Sequence, residues 1–128
     1  VKGVLEGRTI VVVDDSIVRG TTSKQLVHLL REANPKAIHL RISSPPIMYP
    51  CFYGMDFPSK QELIAARLNG DIKEIKKYLE VDSVEYLTID EMLEAVSEAG
   101  KENFCTACFS GKYPTNIDTN FKKEMYEV

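Results

Sequence analysis

Hydrophobic positions along this chain change period from one segment to the next, and the changes mark out its elements. Thr9-Ile10-Val11-Val12-Val13 is a short β-branched run without polar interruption, the pattern of a strand buried within a parallel sheet. Two acids, Asp14 and Asp15, end it, and small or hydroxyl residues follow as far as Ser23. Leu26, Leu29, Leu30 and Ala33 then recur at helical spacing. They predict a helix over 22–33, capped by Thr21, Thr22 or Ser23 and stopped by Asn34-Pro35. Ala37–Ile42 alternates and is β-rich, a second strand parallel to the first through a right-handed crossover.

Residues 43–58 break the pattern, with four prolines, one glycine and four aromatics in no period. A long apolar loop after a strand's carboxyl end usually lines a site or packs over one. Beyond it, Ser59 is expected to cap a helix through about Leu68, with Gln61-Glu62 in its first turn and Asn69-Gly70 at its end. Asp71 starts another helix with Ile72, Ile75 and Leu79 facing inward and its lysines in water. Ser83–Leu87 reads as a short strand, and Asp90 as the cap of a last helix with Met92, Leu93 and Val96 on its apolar stripe. Phe104–Pro114 is expected to be a cysteine-bearing loop, and the chain turns polar beyond Asn116. The divisions are therefore residues 1–115 as one globular unit and 116–128 as a loosely held tail. Strands alternating with helices place the chain in the α/β class.

A length of 128 residues suits one domain, burying roughly two-thirds of the surface its unfolded chain exposes. A net charge of −3 gives no general drive toward nucleic acid or an anionic membrane, so any anion site must be local. No apolar run approaches the roughly 20 residues of a membrane span. Three cysteines, an odd number, argue against a closed disulfide framework and for a reducing, cytoplasmic setting. Neither His28 nor His39 has an obvious chemical partner in sequence, and neither is expected to do chemistry.

The chemistry concentrates between Asp14 and Ser23. The carboxyl end of a strand is the usual ligand crevice of an open α/β sheet. Gly20 lets the backbone approach a ligand, and the amides from Arg19 to Ser23 at a helix start make an anion site with hydroxyls beside it. The two acids would repel by about 4 kcal/mol at roughly 4 Å with an effective dielectric near 20. That repulsion suits ribose hydroxyls, a divalent cation, or both. Paired acids after a strand also open receiver domains, but those need a later strand ending in Asp. Asp56 instead follows Cys-Phe-Tyr-Gly-Met, and no lysine closes a late strand.

Cys105 and Cys108 form a single Cys-x-x-Cys, with Cys51 distant in sequence. By themselves they leave a redox dithiol, a pair of metal ligands and free thiols all open.

The run Val13-Asp-Asp-Ser-Ile-Val-Arg-Gly-Thr-Thr-Ser23 resembles the phosphoribosyl-pyrophosphate signature of type I phosphoribosyltransferases and, more narrowly, the amidophosphoribosyltransferase family. The resemblance runs from about Val4 to Thr115. It implies a partial Rossmann-like type I phosphoribosyltransferase fold, with a parallel sheet and C-terminal helices. It further implies that Asp14 and Asp15 bind the ribose hydroxyls and Mg2+, that Arg19, Gly20, Thr21, Thr22 and Ser23 wrap the 5-phosphate, and that Ser16 also binds the substrate. The family's reaction transfers glutamine-derived ammonia to phosphoribosyl pyrophosphate, giving 5-phosphoribosylamine, glutamate and pyrophosphate, the first step of purine synthesis. In that family the motif lies deep in the chain, so the resemblance implies a C-terminal portion of the enzyme, inactive by itself. It implies purine nucleotides as inhibitors and a homo-oligomer, a tetramer, when intact. One branch holds a [4Fe–4S] cluster on four cysteines, of which Cys51, Cys105 and Cys108 would be three. The rival implied by the same loop is a regulatory relative that binds nucleotides without turnover.

Overall fold

The computed structural model describes residues 2–55, 59–96, 98 and 100–117. In chain order the elements are α1 (Lys2–Leu5), β1 (Thr9–Asp14), α2 (Thr21–Arg31), β2 (Ala37–Ile42), α3 (Ile64–Arg67), α4 (Ile72–Leu79), β3 (Ser83–Tyr86), α5 (Ile89–Ala95) and α6 (Ala107–Ser110). A 3₁₀ turn, Lys101–Asn103, precedes α6. The strands form one parallel sheet in the order β1-β2-β3, with Val12 opposite Leu40 and Leu40 opposite Val84. Parallel strands need long crossovers; α2 makes the first, and the 43–82 segment with α3 and α4 makes the second.

Side-chain alternation decides which face is filled. Ile38, Leu40, Ile42 and Val84 point to one side, where they pack with Val27 of α2, Ile64 and Ala65 of α3, and Ile75 and Leu79 of α4. The opposite face carries Val11 and Val13, 59% and 72% exposed, beside His39, Arg41, Ser83 and Glu85. The expectation of a buried first strand is therefore corrected. Among the described residues β1 pairs with β2 alone, and the helices cover one face of the sheet only. An all-apolar run shows that a strand can be buried on both faces, not what is present to bury it.

Three helix starts also differ from expectation. The residue before α2 is Gly20, in the left-handed region at φ 79°, and no side chain caps that end. Ser59 does close a turn with Glu62, but Leu63 is extended and the helix proper is only α3. The reason is nonlocal: the Ile64 amide donates to the Val18 carbonyl at 3.0 Å, where an unbroken helix would have turned it inward. Before α5 the cap is Thr88, paired reciprocally with Glu91, and Asp90 lies in the first turn.

Asp71 caps α4 as expected, accepting from the Lys73 amide at 2.8 Å. Ile75 and Leu79 are buried, whereas Ile72 is partly exposed over a surface cleft. Asn34 and Asn69 end their segments in the left-handed region at φ 52° and 53°. The loop after β2 contains no cis peptide bond, so Pro45-Pro46 is trans. The cysteine segment is not all loop, since Cys108 sits within α6. Asp56 and the tail from residue 118 lie outside the described residues.

Candidate functional site

Asp14 ends β1 with its carbonyl held from β2's side, accepting from the Ser43 amide at 2.9 Å and the Ser43 hydroxyl at 3.1 Å. This fixes where the chain leaves the sheet. Its carboxylate Oδ1 accepts from the Asp15 amide at 2.9 Å, and Asp15 Oδ1 accepts from the Ser16 hydroxyl at 3.0 Å. Each acid thus has one oxygen engaged locally, and neither is neutralised by a basic side chain among the described residues. The free oxygens suit a cation or ligand hydroxyls.

Residues 16–20 then bend toward α2. Ile17 is buried in the core, which anchors the loop, and the Val18 carbonyl is tied to Ile64. Gly20 occupies a conformation that side chains rarely adopt, and a Cβ there would stand 2.8 Å from Ile64 Cδ1 and 3.1 Å from Tyr78 Cε1. The backbone conformation favours glycine, and any side chain would also displace the tip of Ile64. Thr21 and Thr22 are exposed and Ser23 is buried at the first turn of α2. The first intrahelical bond runs from the Lys24 amide to the Gly20 carbonyl at 2.9 Å. The preceding amides carry no side-chain cap, so they and the positive end of the helix dipole remain available to an anion.

Arg19 projects from this loop and pairs with Glu62, Nε to Oε1 at 3.3 Å. Desolvation pushes the Glu62 pKa up, but hydrogen bonds from Ser59 and Arg19 outweigh it and hold the carboxyl below its ordinary value. Glu62 was read from sequence only as part of a first turn. A Ser-x-x-Glu spacing signals such a turn, but nothing in the sequence ties it to Arg19.

All the predicted loop residues, Asp14, Asp15, Ser16, Arg19, Gly20, Thr21, Thr22 and Ser23, therefore fall on one strand-loop-helix connection at the carboxyl end of β1. A surface cleft of about 540 Å³ lies elsewhere, lined by Pro45, Met48, Tyr86 and Phe109. It is apolar and has no cluster of charge. The Tyr86 hydroxyl is buried without a partner among the described residues, and burial pushes its pKa up to about 12. The histidines sit apart from the loop chemistry: His39 Nδ1 meets the Ser83 hydroxyl at 2.7 Å, and His28 lies 3.5 Å from Glu80.

The cysteines approach one another without completing a site. The Cys108 carbonyl accepts from the Met48 and Tyr49 amides, both at 3.0 Å, docking α6 on the loop that carries Cys51. Burial, then neighbouring Cys51 and Cys105, push the Cys108 thiol up to about 11. All three are free thiols, and no group of three ligands among the described residues is arranged to hold a metal. Thiolate donors suit iron–sulfur chemistry, but this geometry does not close a ligand set.

The parallel sheet with its helices matches the fold of solved phosphoribosylpyrophosphate amidotransferases. A solved Bacillus subtilis glutamine phosphoribosylpyrophosphate amidotransferase, complexed with ADP and GMP, superposes at a TM-score of 0.83 with 44% identity, covering 94% of this chain and 27% of that one. Amidophosphoribosyltransferases from Vigna aconitifolia (chloroplastic), Synechococcus elongatus and Methanocaldococcus jannaschii are 54%, 51% and 49% identical over 114, 122 and 123 residues. Those matches cover 89%, 95% and 96% of this chain and 23%, 24% and 25% of the relatives. Along this segment the chain is similar to amidophosphoribosyltransferases at about half of its positions. It spans about a quarter of the length of the curated relatives it matches. No protein-family model matches it.

Proposed function

We propose that the β1–α2 connection binds phosphoribosyl pyrophosphate in an amidophosphoribosyltransferase. The intact protein would join glutamine-derived ammonia to C1 of the sugar and release pyrophosphate, giving 5-phosphoribosylamine at the head of purine synthesis. The observation that carries this reading is the uncapped start of α2 behind Gly20, one loop away from two carboxylates.

In this reading the amides and hydroxyls of residues 20–23 hold the 5-phosphate, with Ser16 and Arg19 at the rim. Asp14 and Asp15 accept from the ribose hydroxyls through their unengaged oxygens. The same oxygens fit Mg2+, which would supply charge balance to the pyrophosphate. The substrate carries its own leaving group, so the residues act by positioning and by stabilising charge, and no side-chain nucleophile is required. A purine nucleoside monophosphate presents the same ribose phosphate to the same loop, which supports purine nucleotides as inhibitors. A cytoplasmic homo-oligomer, a tetramer, is the assembly this reading carries. Among the described residues no helix is long and apolar enough to cross a membrane.

Cys51, Cys105 and Cys108 are assigned to a [4Fe–4S] cluster, which would need the three sulfurs to draw together, an arrangement the described residues do not show, and a fourth ligand from another segment. The docking of α6 against the 48–51 loop supports it. A cluster there would cross-link the 48–51 loop to the segment that carries Cys105 and α6, with no part in the transferase step.

Pyrophosphate release from phosphoribosyl pyrophosphate by the intact protein, with ammonium as donor, tests the proposal. Turnover above background, abolished by Asp14→Asn with Asp15→Asn, is expected. Nucleotide binding without turnover would favour a regulatory relative.

A further inference from the structure

Arg19 is the basic side chain of the β1–α2 loop, and the structure shows what holds it. Glu62 takes its Nε edge at 3.3 Å, while the other Glu62 oxygen accepts from the Ser59 hydroxyl at 3.2 Å and the Ser59 amide at 3.3 Å. The Glu62 amide in turn donates to the Ser59 carbonyl at 2.9 Å. The carboxylate is thus fixed in a closed turn before it meets the guanidinium. Two further attachments join the same segment to the same loop: the Ile64 amide on the Val18 carbonyl, and the Ile64 side chain against Gly20. Residues 59–64 form a strut behind residues 18–20.

Both partners are about half exposed, at 55% and 53%, and an exposed pair of this kind adds little to stability. Its geometry matters more. A guanidinium binds an oxyanion best through two parallel N–H groups. With the Nε edge occupied, the terminal nitrogens of Arg19 have no partner among the described residues. They form the remaining donor edge of the fork, beside the open amides of α2.

We infer that Glu62 is a positioning residue for the phosphoribosyl site, orienting Arg19 so that its terminal nitrogens meet a phosphate or pyrophosphate oxygen. Glu62 touches no substrate itself. The inference rests on the proposed phosphoribosyl pyrophosphate site and deepens it: anion affinity depends on a carboxylate 43 residues downstream of the loop.

The test is a cycle in the intact protein with Glu62→Gln, Arg19→Ala and the double variant, read as KM and kcat for phosphoribosyl pyrophosphate. Glu62→Gln is expected to raise KM about fivefold with kcat nearly unchanged, and to add nothing further once Arg19 is alanine. Glu62→Asp, keeping charge but shortening reach, should recover part of the loss at most. The Arg19 Nε–H signal in a nitrogen-15 spectrum should exchange slowly in the parent protein and rapidly in Glu62→Gln. An equal KM for parent and Glu62→Gln overturns the inference. So does an undiminished Glu62→Gln effect in the Arg19→Ala background, which would mark a purely structural role. A parent protein that neither binds nor turns over phosphoribosyl pyrophosphate would instead remove the underlying site.

Discussion

Gly20 lies so close to Ile64 that a β-carbon on it would stand 2.8 Å from Ile64 Cδ1, nearer than side-chain carbons approach. The loop offered to a ligand is thus pressed from behind by the core. Its shape comes from packing on the inner side.

Gly20→Val should therefore act twice. A β-branched residue at φ 79° is strained, and the clash would push either the loop or α3 aside. Thermal unfolding is expected to show a loss of about 1–3 kcal/mol. Binding of ribose 5-phosphate is expected to disappear.

Asp15→Asn separates binding from folding. The Asp15 carboxylate accepts only from neighbouring Ser16 among the described residues, so the melting temperature should hold. Affinity for GMP with Mg2+ should fall about tenfold, roughly 1.4 kcal/mol. Unchanged calorimetric affinity would detach Asp15 from the ribose.

The pH dependence of stability should report on Asp82. Its pKa is lowered, first by the Ile38 amide at 2.8 Å and, against some desolvation, by Arg31 at 2.9 Å. A carboxyl whose folded pKa lies below its unfolded value near 3.9 contributes fully above that value and loses the contribution as pH falls through the folded pKa. Between about pH 5 and 2 the parent should therefore lose more stability than Asp82→Asn, as denaturant titrations at each pH would show.

Cysteine reactivity gives a separate check. In metal-free protein at pH 8, exposed Cys105 should alkylate before Cys108, whose thiol is pushed up to about 11. In the intact protein prepared anaerobically, the cluster assignment predicts bound iron and sulfide that Cys108→Ser diminishes. Absence of both would end that assignment.

Much of this was legible from local pattern. Thr9–Asp14, Thr21–Arg31 and Ala37–Ile42 stand where period and breakers place them, because each is set by its own neighbours. The Thr88–Glu91 capping box was also written in the chain as Thr-Ile-Asp-Glu, and Asp90 drew attention from it. Other features are nonlocal. Leu63 is extended because the Ile64 amide is drawn to Val18, 46 residues earlier, and no period encodes that. The exposure of Val11 and Val13 depends on what lies beside β1, and the pairing of Arg19 with Glu62 depends on how two distant segments meet. The loop chemistry was legible as residue types; the strut behind it was not.

The central claim is that residues 14–23 form the phosphoribosyl pyrophosphate site. Calorimetric titration of the intact protein with phosphoribosyl pyrophosphate and Mg2+, in the parent and in Gly20→Val, tests it most directly. One saturable site in the parent and none in a folded Gly20→Val protein is the predicted result. Equal affinity in the two would contradict it.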